Sequence, residues 1–218
     1  MAKVKINGTI VSSNDKWIYD LYEIESFAPS DLYKVLNDNT EVEPLDIEIN
    51  SPGGYVFDGS EIYTALLNHK GKVTVTITGI AASMASVIAM AGDTVKISPT
   101  AQIMIHNASG RVAGDYRDME HYANTLRKTN DTIANAYVSK TGLSKDDLLS
   151  LMDDETWLTP DDALTYGFAD EILGNQGGEL QLVAGFEPNL LPNEVINKVK
   201  RDKELAQIEI LKLKGDVI

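Results

Sequence analysis

Polar and apolar residues alternate from Lys3 to Val11, the period-two pattern of a strand with one buried face. The alternation returns in Leu45-Asp46-Ile47-Glu48-Ile49, and the stretch 72–77 is rich in β-branched residues. Two further short strand patterns follow, Thr94 to Ile97 and Gln102 to Ile105. Between these strands the period changes. Ile62, Ala65 and Leu66 fall on one face of a helix predicted over 58–67. Ser30-Asp31 predicts a cap for a short helix through Leu36. The stretch 116–140 reads as one long helix without Pro or Gly. Ser144 is placed to cap a helix over 145–152, with Asp147 in the capping-box position. Thr159-Pro160-Asp161-Asp162 opens another helix, with Pro in its first turn and acids at its positive end, and Gly167 closes it. Residues 17–24 fit neither period, and Asn50-Ser51-Pro52-Gly53-Gly54 reads as a turn.

Strands alternating with helices predict an α/β domain. The character changes after Gly174. Asn175-Gln176-Gly177-Gly178 is linker-like, 179–183 fits one more strand, and 194–213 has a helical pattern of mixed charge behind Pro188 and Pro192. A boundary is therefore expected near residue 174, with a domain over 1–174 and a C-terminal extension over 175–218.

Composition narrows the chemistry. The chain has no cysteine, which excludes disulfides, a thiol nucleophile and Cys-ligated zinc. Its formal charge of −14 weighs against a nucleic-acid partner, because such binding draws on Lys and Arg facing phosphates. The longest apolar run, 77–91, is broken by Thr78, Gly79, Ser83 and Ser86, so no membrane span is expected. The N-terminus has no signal-peptide core, and a cytoplasmic location is expected. No phosphate-binding Gly-Lys-Ser/Thr loop and no dinucleotide fingerprint occur, the three histidines are scattered, and the acidic runs lack ligand spacing. Neither a cofactor nor a metal is expected.

Three segments carry candidate chemistry. Gly79-Ile80-Ala81-Ala82-Ser83-Met84 reads as strand, small-residue turn and buried helix. Such a turn suits close packing, and equally it exposes a serine hydroxyl that needs a base to act as a nucleophile. Met104-Ile105-His106 ends an apolar strand on a histidine, whereas His69 lies in a polar loop and His121 on a charged helix. Gly53-Gly54 allows close backbone approach to a ligand, and its N–H groups suit an oxyanion hole.

Together these segments resemble the Clp protease proteolytic subunit (ClpP) family. The matching stretches are Ile49-Asn50-Ser51-Pro52-Gly53-Gly54, Gly79-Ile80-Ala81-Ala82-Ser83-Met84, Met104-Ile105-His106 and Ala163-Leu164-Thr165-Tyr166-Gly167-Phe168-Ala169-Asp170, covering roughly residues 3 to 174. The resemblance implies a crotonase-like spiral of ββα units with 116–140 as a protruding handle helix. It implies Ser83 as nucleophile, His106 as general base and then acid, and the N–H groups of Gly54 and Met84 as the oxyanion hole. It implies protein or peptide substrates bound as an added strand, with 109–114 contacting them, and a homo-oligomer in which handles join two rings into a chamber.

The third triad residue departs from the family pattern. Counting back from Tyr166 places Glu155 where the family has Asp, and a shift of one residue nominates Asp154 instead. Glu155 is preferred because Trp157-Leu158 keeps its register. The short N-terminus, the 175–218 extension and Glu155-Thr156-Trp157 are similar to ClpP-related proteases of tailed phages and prophages. That likeness implies head maturation, with coat or scaffold proteins as substrates inside a bacterial host or its proheads, and argues against dependence on a Clp ATPase. The alternatives are an ATPase-partnered degradative protease and a crotonase-type acyl-CoA enzyme. The latter would use paired N–H groups without needing Ser83 and His106.

Overall fold

The computed structural model describes residues 2–40 and 42–174. The expected strand at 179–183, the expected helix at 194–213 and the extension that holds them lie outside the described residues. The first half of the domain comprises β1 (Ala2–Ile10), α1 (Lys16–Leu21), β2 (Ser26–Phe27), α2 (Pro29–Asp38), β3 (Leu45–Gly54), α3 (Val56–Leu67), β4 (Val73–Ala82) and α4 (Met84–Ala89). The second comprises β5 (Thr94–Ile97), β6 (Gln102–Ile105), α5 (Tyr116–Thr141), α6 (Lys145–Asp153), β7 (Thr156–Leu158), α7 (Pro160–Thr165) and β8 (Glu171–Ile172).

One mixed sheet holds the strands in the order β2-β1-β3-β4-β5-β8, and β6 joins it between β4 and β7. Every pairing is parallel except β6 with β7. Ile6, Ile47, Ile49, Val75, Ile77, Val95 and Ile97 point into the core. The opposite positions of the same strands carry Lys3 with Asp46, Lys5 with Glu48, and Lys96 with Glu171 as ion pairs. That charged face is why these parallel strands alternate in sequence. Parallel strands covered on both faces would instead read as continuous apolar runs.

β4 is the branch point that builds the site. Its first half, Thr74 to Ile77, pairs with β5. Its last residues, Ile80 to Ala82, pair with β6. Gly79 lies between the two partners, and a Cβ there would meet Asn50 Oδ1 at 2.5 Å. The Asn50 carboxamide takes the N–H of Ile80 at this step, at 3.2 Å. α4 follows after Ser83 and is buried all round, with Ser86 its one polar residue. α5 buries only Ile133, Ala134, Ala136 and Tyr137, so its first four turns stand clear of the core as a handle.

Four local expectations change. The segment 50–54 is the end of β3, not a turn. Thr9 and Ile10 still pair with Gly53 and Gly54, and Gly8 (φ 69°) and Gly53 (φ 90°) absorb the shift in register. β4 runs five residues beyond the expected end at Ile77 because β6 supplies a second partner. Residues 16–21 form α1, which buries no residue and therefore shows no apolar period. α2 starts one residue earlier than Ser30, and the Asp31 carboxylate takes the N–H of Ala28 at 2.9 Å.

The cap of α7 yields a pH prediction. The Thr159 hydroxyl and N–H both donate to Asp162, which holds its carboxyl below the usual carboxylate range. A carboxylate whose pKa falls on folding stabilises the native state above its unfolded pKa, and that contribution is lost as pH drops through the folded value. Asp162→Asn should therefore lower Tm at pH 7, and the gap to the wild type should close as pH falls through the depressed folded value of the Asp162 carboxyl. Thermal melts across pH test this; a gap that widens in acid would contradict it.

Candidate active site

Ser83 stands at the junction of β4 and α4 with φ 53° and ψ −127°, a backbone region that L residues rarely adopt. Holding a serine there costs on the order of 1–3 kcal/mol. Neighbouring bonds maintain the turn. The Ser83 N–H donates to Met104 O at 2.9 Å, and the Ser83 carbonyl accepts from the N–H of Ser86 at 3.0 Å. β3 passes so close that a Cβ on Gly53 would lie 2.7 Å from Ser83 Cβ and 2.6 Å from Ala82 O. Glycine is required there by contact as well as by its positive φ.

His106 arrives through strand register. Ala82 is level with Met104 across the parallel β4–β6 pair. One residue beyond Ala82 is Ser83, and two beyond Met104 is His106. His106 Nε2 lies 2.9 Å from Ser83 Oγ, with both residues half-buried. In the neutral imidazole protonated at Nδ1, Nε2 accepts the serine hydroxyl proton, which is the arrangement of a base beside its nucleophile. Of the other histidines, His121 is exposed on α5, and His69 Nε2 bonds Glu43 O at 2.7 Å, far from this turn in the fold.

Met84 is the first residue of α4, so its N–H has no acceptor within the helix. Gly54 ends β3 beside Ile10, and a Cβ there would meet Ile10 O at 2.0 Å. Ser51 braces this strand end: its hydroxyl donates to Gly8 O at 2.6 Å and accepts from Gly53 N at 3.1 Å. Ser51 and Ser86 are the fully buried polar residues among the described residues, and each ties down one of these two backbone segments. The sequence offers little to mark them, since a buried serine reads as small-residue packing.

The acidic run sits next to His106, but its contacts differ from the expectation. β6 and β7 pair antiparallel with Ile105 opposite Thr156. The pairing ends there; continued by one step it would set His106 opposite Glu155, and by two steps Asn107 opposite Asp154. Glu155 has φ 51°, the geometry that turns the chain from α6 into β7. Glu155 is exposed and among the described residues its carboxylate makes no hydrogen bond to His106; Asp154, the C-cap of α6, is likewise exposed and makes none to His106. The acid that does contact the His106 segment is Asp153, which accepts from Asn107 Nδ2 at 2.6 Å. This tie was not legible in the sequence, because Asp153 ends a helix and its partner lies 46 residues away. The segment 109–115 beyond Asn107 is exposed and irregular.

The Clp protease family model matches residues 30–176. The chain is 34% identical over 151 residues to the ATP-dependent Clp protease proteolytic subunit of Deinococcus radiodurans, covering 66% of this chain and 74% of that protein. It is 33% identical over 164 residues to the Bacteroides fragilis protein of the same name, covering 73% and 79%. Proteolytic subunit 1 of Chlamydia abortus is 34% identical over 135 residues, covering 60% and 70%. A strained serine hydrogen-bonded to a histidine, on a mixed α/β sheet that this model matches over most of its length, places the chain in the Clp protease family of serine-type endopeptidases.

Proposed function

We propose that Ser83, His106 and Glu155 form the catalytic triad, with the N–H groups of Gly54 and Met84 as the oxyanion hole, and that the substrates are phage coat or scaffold proteins cut during prohead maturation. The observation that carries the catalytic part is the 2.9 Å contact from His106 Nε2 to Ser83 Oγ at a strained turn. Ser83 Oγ attacks the scissile carbonyl while Nε2 takes its proton. Negative charge then moves onto the carbonyl oxygen, which two backbone N–H groups stabilise by about 3 kcal/mol each. Collapse breaks the C–N bond, and His106 returns its proton to the leaving amine. Water, deprotonated by His106, then hydrolyses the acyl ester and restores Ser83.

Glu155 would orient the imidazole through Nδ1–H. Continuing the β6–β7 register one step past Ile105 and Thr156 favours it over Asp154, and a rotation of the Glu155 side chain would have to close that bond. The substrate would pair as a strand with the backbone near Gly54 and the 109–114 segment, giving affinity with loose sequence preference. The exposed first turns of α5 suit the handle of a ring-shaped homo-oligomer. No helix among the described residues is long and apolar enough to cross a membrane, and we place the protein in the cytoplasm of a bacterial host or within proheads.

The phage reading is supported by Glu155-Thr156-Trp157 in place of the family's usual acid segment. A second reading, degradation in partnership with a Clp ATPase, is favoured by the names of the curated relatives, which are described as ATP-dependent. Co-expression with coat and scaffold proteins, with and without a Clp ATPase, separates the two. Discrete cuts in coat or scaffold without the ATPase, seen by intact mass and absent with Ser83→Ala, are expected. Processive degradation that requires the ATPase would overturn the maturation role. A fluorophosphonate should modify Ser83 in either case; thioester turnover without that adduct would instead favour the acyl-CoA reading.

A further inference from the structure

Behind the Ser83 turn lies a buried hydrogen-bond chain that begins on the handle helix. Tyr137 OH is 2.8 Å from Ser86 Oγ, and Ser86 Oγ is 2.6 Å from Ser83 O. A carbonyl oxygen only accepts, so the Ser86 hydroxyl spends its one proton on Ser83 O. Tyr137 must then be the donor to Ser86. Ser86 is fully buried and Tyr137 is 1% exposed. Burial pushes the Tyr137 phenol up from its ordinary pKa, which keeps it a donor. Its ring packs against Phe168 with centroids 5.5 Å apart, which limits its rotation.

The Ser83 carbonyl belongs to the same peptide plane as the Met84 N–H. In a trans peptide these two groups point in opposite directions, and no described peptide bond is cis. Holding the oxygen on the core side therefore aims the N–H the opposite way, out of the N-terminal end of α4. The plane is set by the strained torsions of Ser83, which would relax toward an ordinary strand or helix conformation if released. A hydrogen bond to the oxygen also polarises the amide and strengthens its N–H as a donor.

We propose that Ser86 and Tyr137 are positioning residues for the oxyanion hole, a relay from Tyr137 OH through Ser86 Oγ to Ser83 O that locks and polarises the Met84 N–H. The inference rests on the reading of Ser83 as nucleophile and Met84 N–H as an oxyanion donor. The relay would act on the transition state and leave substrate affinity alone, because the oxygen acquires its charge only on attack.

The test is a double-mutant cycle in the full-length chain, using Ser86→Ala, Tyr137→Phe and both together. Kinetics on a short fluorogenic peptide, thermal melts and a Ser83→Ala control accompany it. Ser86→Ala should lower kcat about 10- to 100-fold with KM within about twofold. It should also lower Tm by about 4 °C, because the Tyr137 hydroxyl is left without an acceptor. Tyr137→Phe should lower kcat about 3- to 10-fold. In the double variant both partners are gone, so Tm should return toward the wild-type value while kcat stays as low as in Ser86→Ala. That separation of stability from turnover is what a merely structural role would not produce. Recovery of kcat together with Tm, or wild-type kcat in any folded Ser86→Ala or double variant, overturns the relay. If Ser86→Ala does not fold, the double variant carries the test on the same criterion. Should Ser83→Ala keep its activity, the catalytic reading falls and the relay with it. An inactive Ser83→Ala beside fully active Ser86 and Tyr137 variants removes the relay alone.

Discussion

Ser83→Ala is expected to lower kcat/KM for peptide hydrolysis by at least about a thousandfold and to abolish fluorophosphonate labelling. The substitution removes one hydroxyl from a half-buried turn and inherits the same positive φ. Alanine meets no greater backbone penalty there than serine does, so Tm should change little. The bond that His106 makes through Nε2 is lost with it. Without an oxygen nucleophile there is no acyl-enzyme, and any remaining rate reflects water attack in a site that still polarises the carbonyl. The backbone proposed to bind substrate, near Gly54 and at 109–114, is untouched, so the variant should still bind substrate and serve to trap it. Peptide turnover at the wild-type rate in a folded Ser83→Ala protein would remove the nucleophile assignment and the whole mechanism built on it.

The second large effect is expected at the acid behind His106, where three neighbouring carboxylates compete. Glu155→Gln should reduce kcat by about 10²- to 10⁴-fold, the range seen when the residue that orients a catalytic imidazole is neutralised. Asp154→Asn should stay within about threefold of wild type, since its backbone N–H caps α6 and its side chain is exposed to solvent. Asp153→Asn weakens a charge-assisted bond to Asn107, the residue after His106, and a loss of about tenfold is expected there. The ordering Glu155, then Asp153, then Asp154 is the content of the prediction. Steady-state kinetics on the three variants, with melts to confirm folding, decide it. A collapse at Asp154 with Glu155→Gln near wild type would mean that the chain beyond α6 is shifted by one residue from the β6–β7 register.

Much of the fold was legible because its cause is local. The strands β5 and β6 were bounded correctly by sequence, since each is a short β-branched or apolar run between turn residues. α5 was found from a long helical pattern without Pro or Gly, and α6 from its cap, where Ser144 accepts from the N–H of Asp147; the cap of α5, Asp115 accepting from the N–H groups of Arg117 and Asp118, was not foreseen. β2, β7 and β8 were not foreseen. Each has two or three residues, too few to show a period, and exists only because a neighbour supplies the pairing. The Asn50–Gly54 segment misled for a related reason. Its Pro and Gly residues carry turn chemistry, but β1 pairs with it through two positive-φ glycines and holds it as strand.

Sequence alone determined the candidate reactive groups and their local setting: a serine after small residues and before a buried helix, a histidine at a strand end, and glycines where backbone must pass close. Those features are written in consecutive residues, so steric and capping rules suffice to read them. Tertiary structure decided which groups meet. β5 occupies the first half of β4 and leaves its end to β6, and that long-range pairing brings His106 to Ser83. The same kind of pairing sets Thr156 opposite Ile105, the residue before His106, and the packing of α5 on α4 brings Tyr137 to Ser86, 51 residues away. Backbone hydrogen bonding and core packing join residues without regard to their distance along the chain, and no local pattern records the outcome.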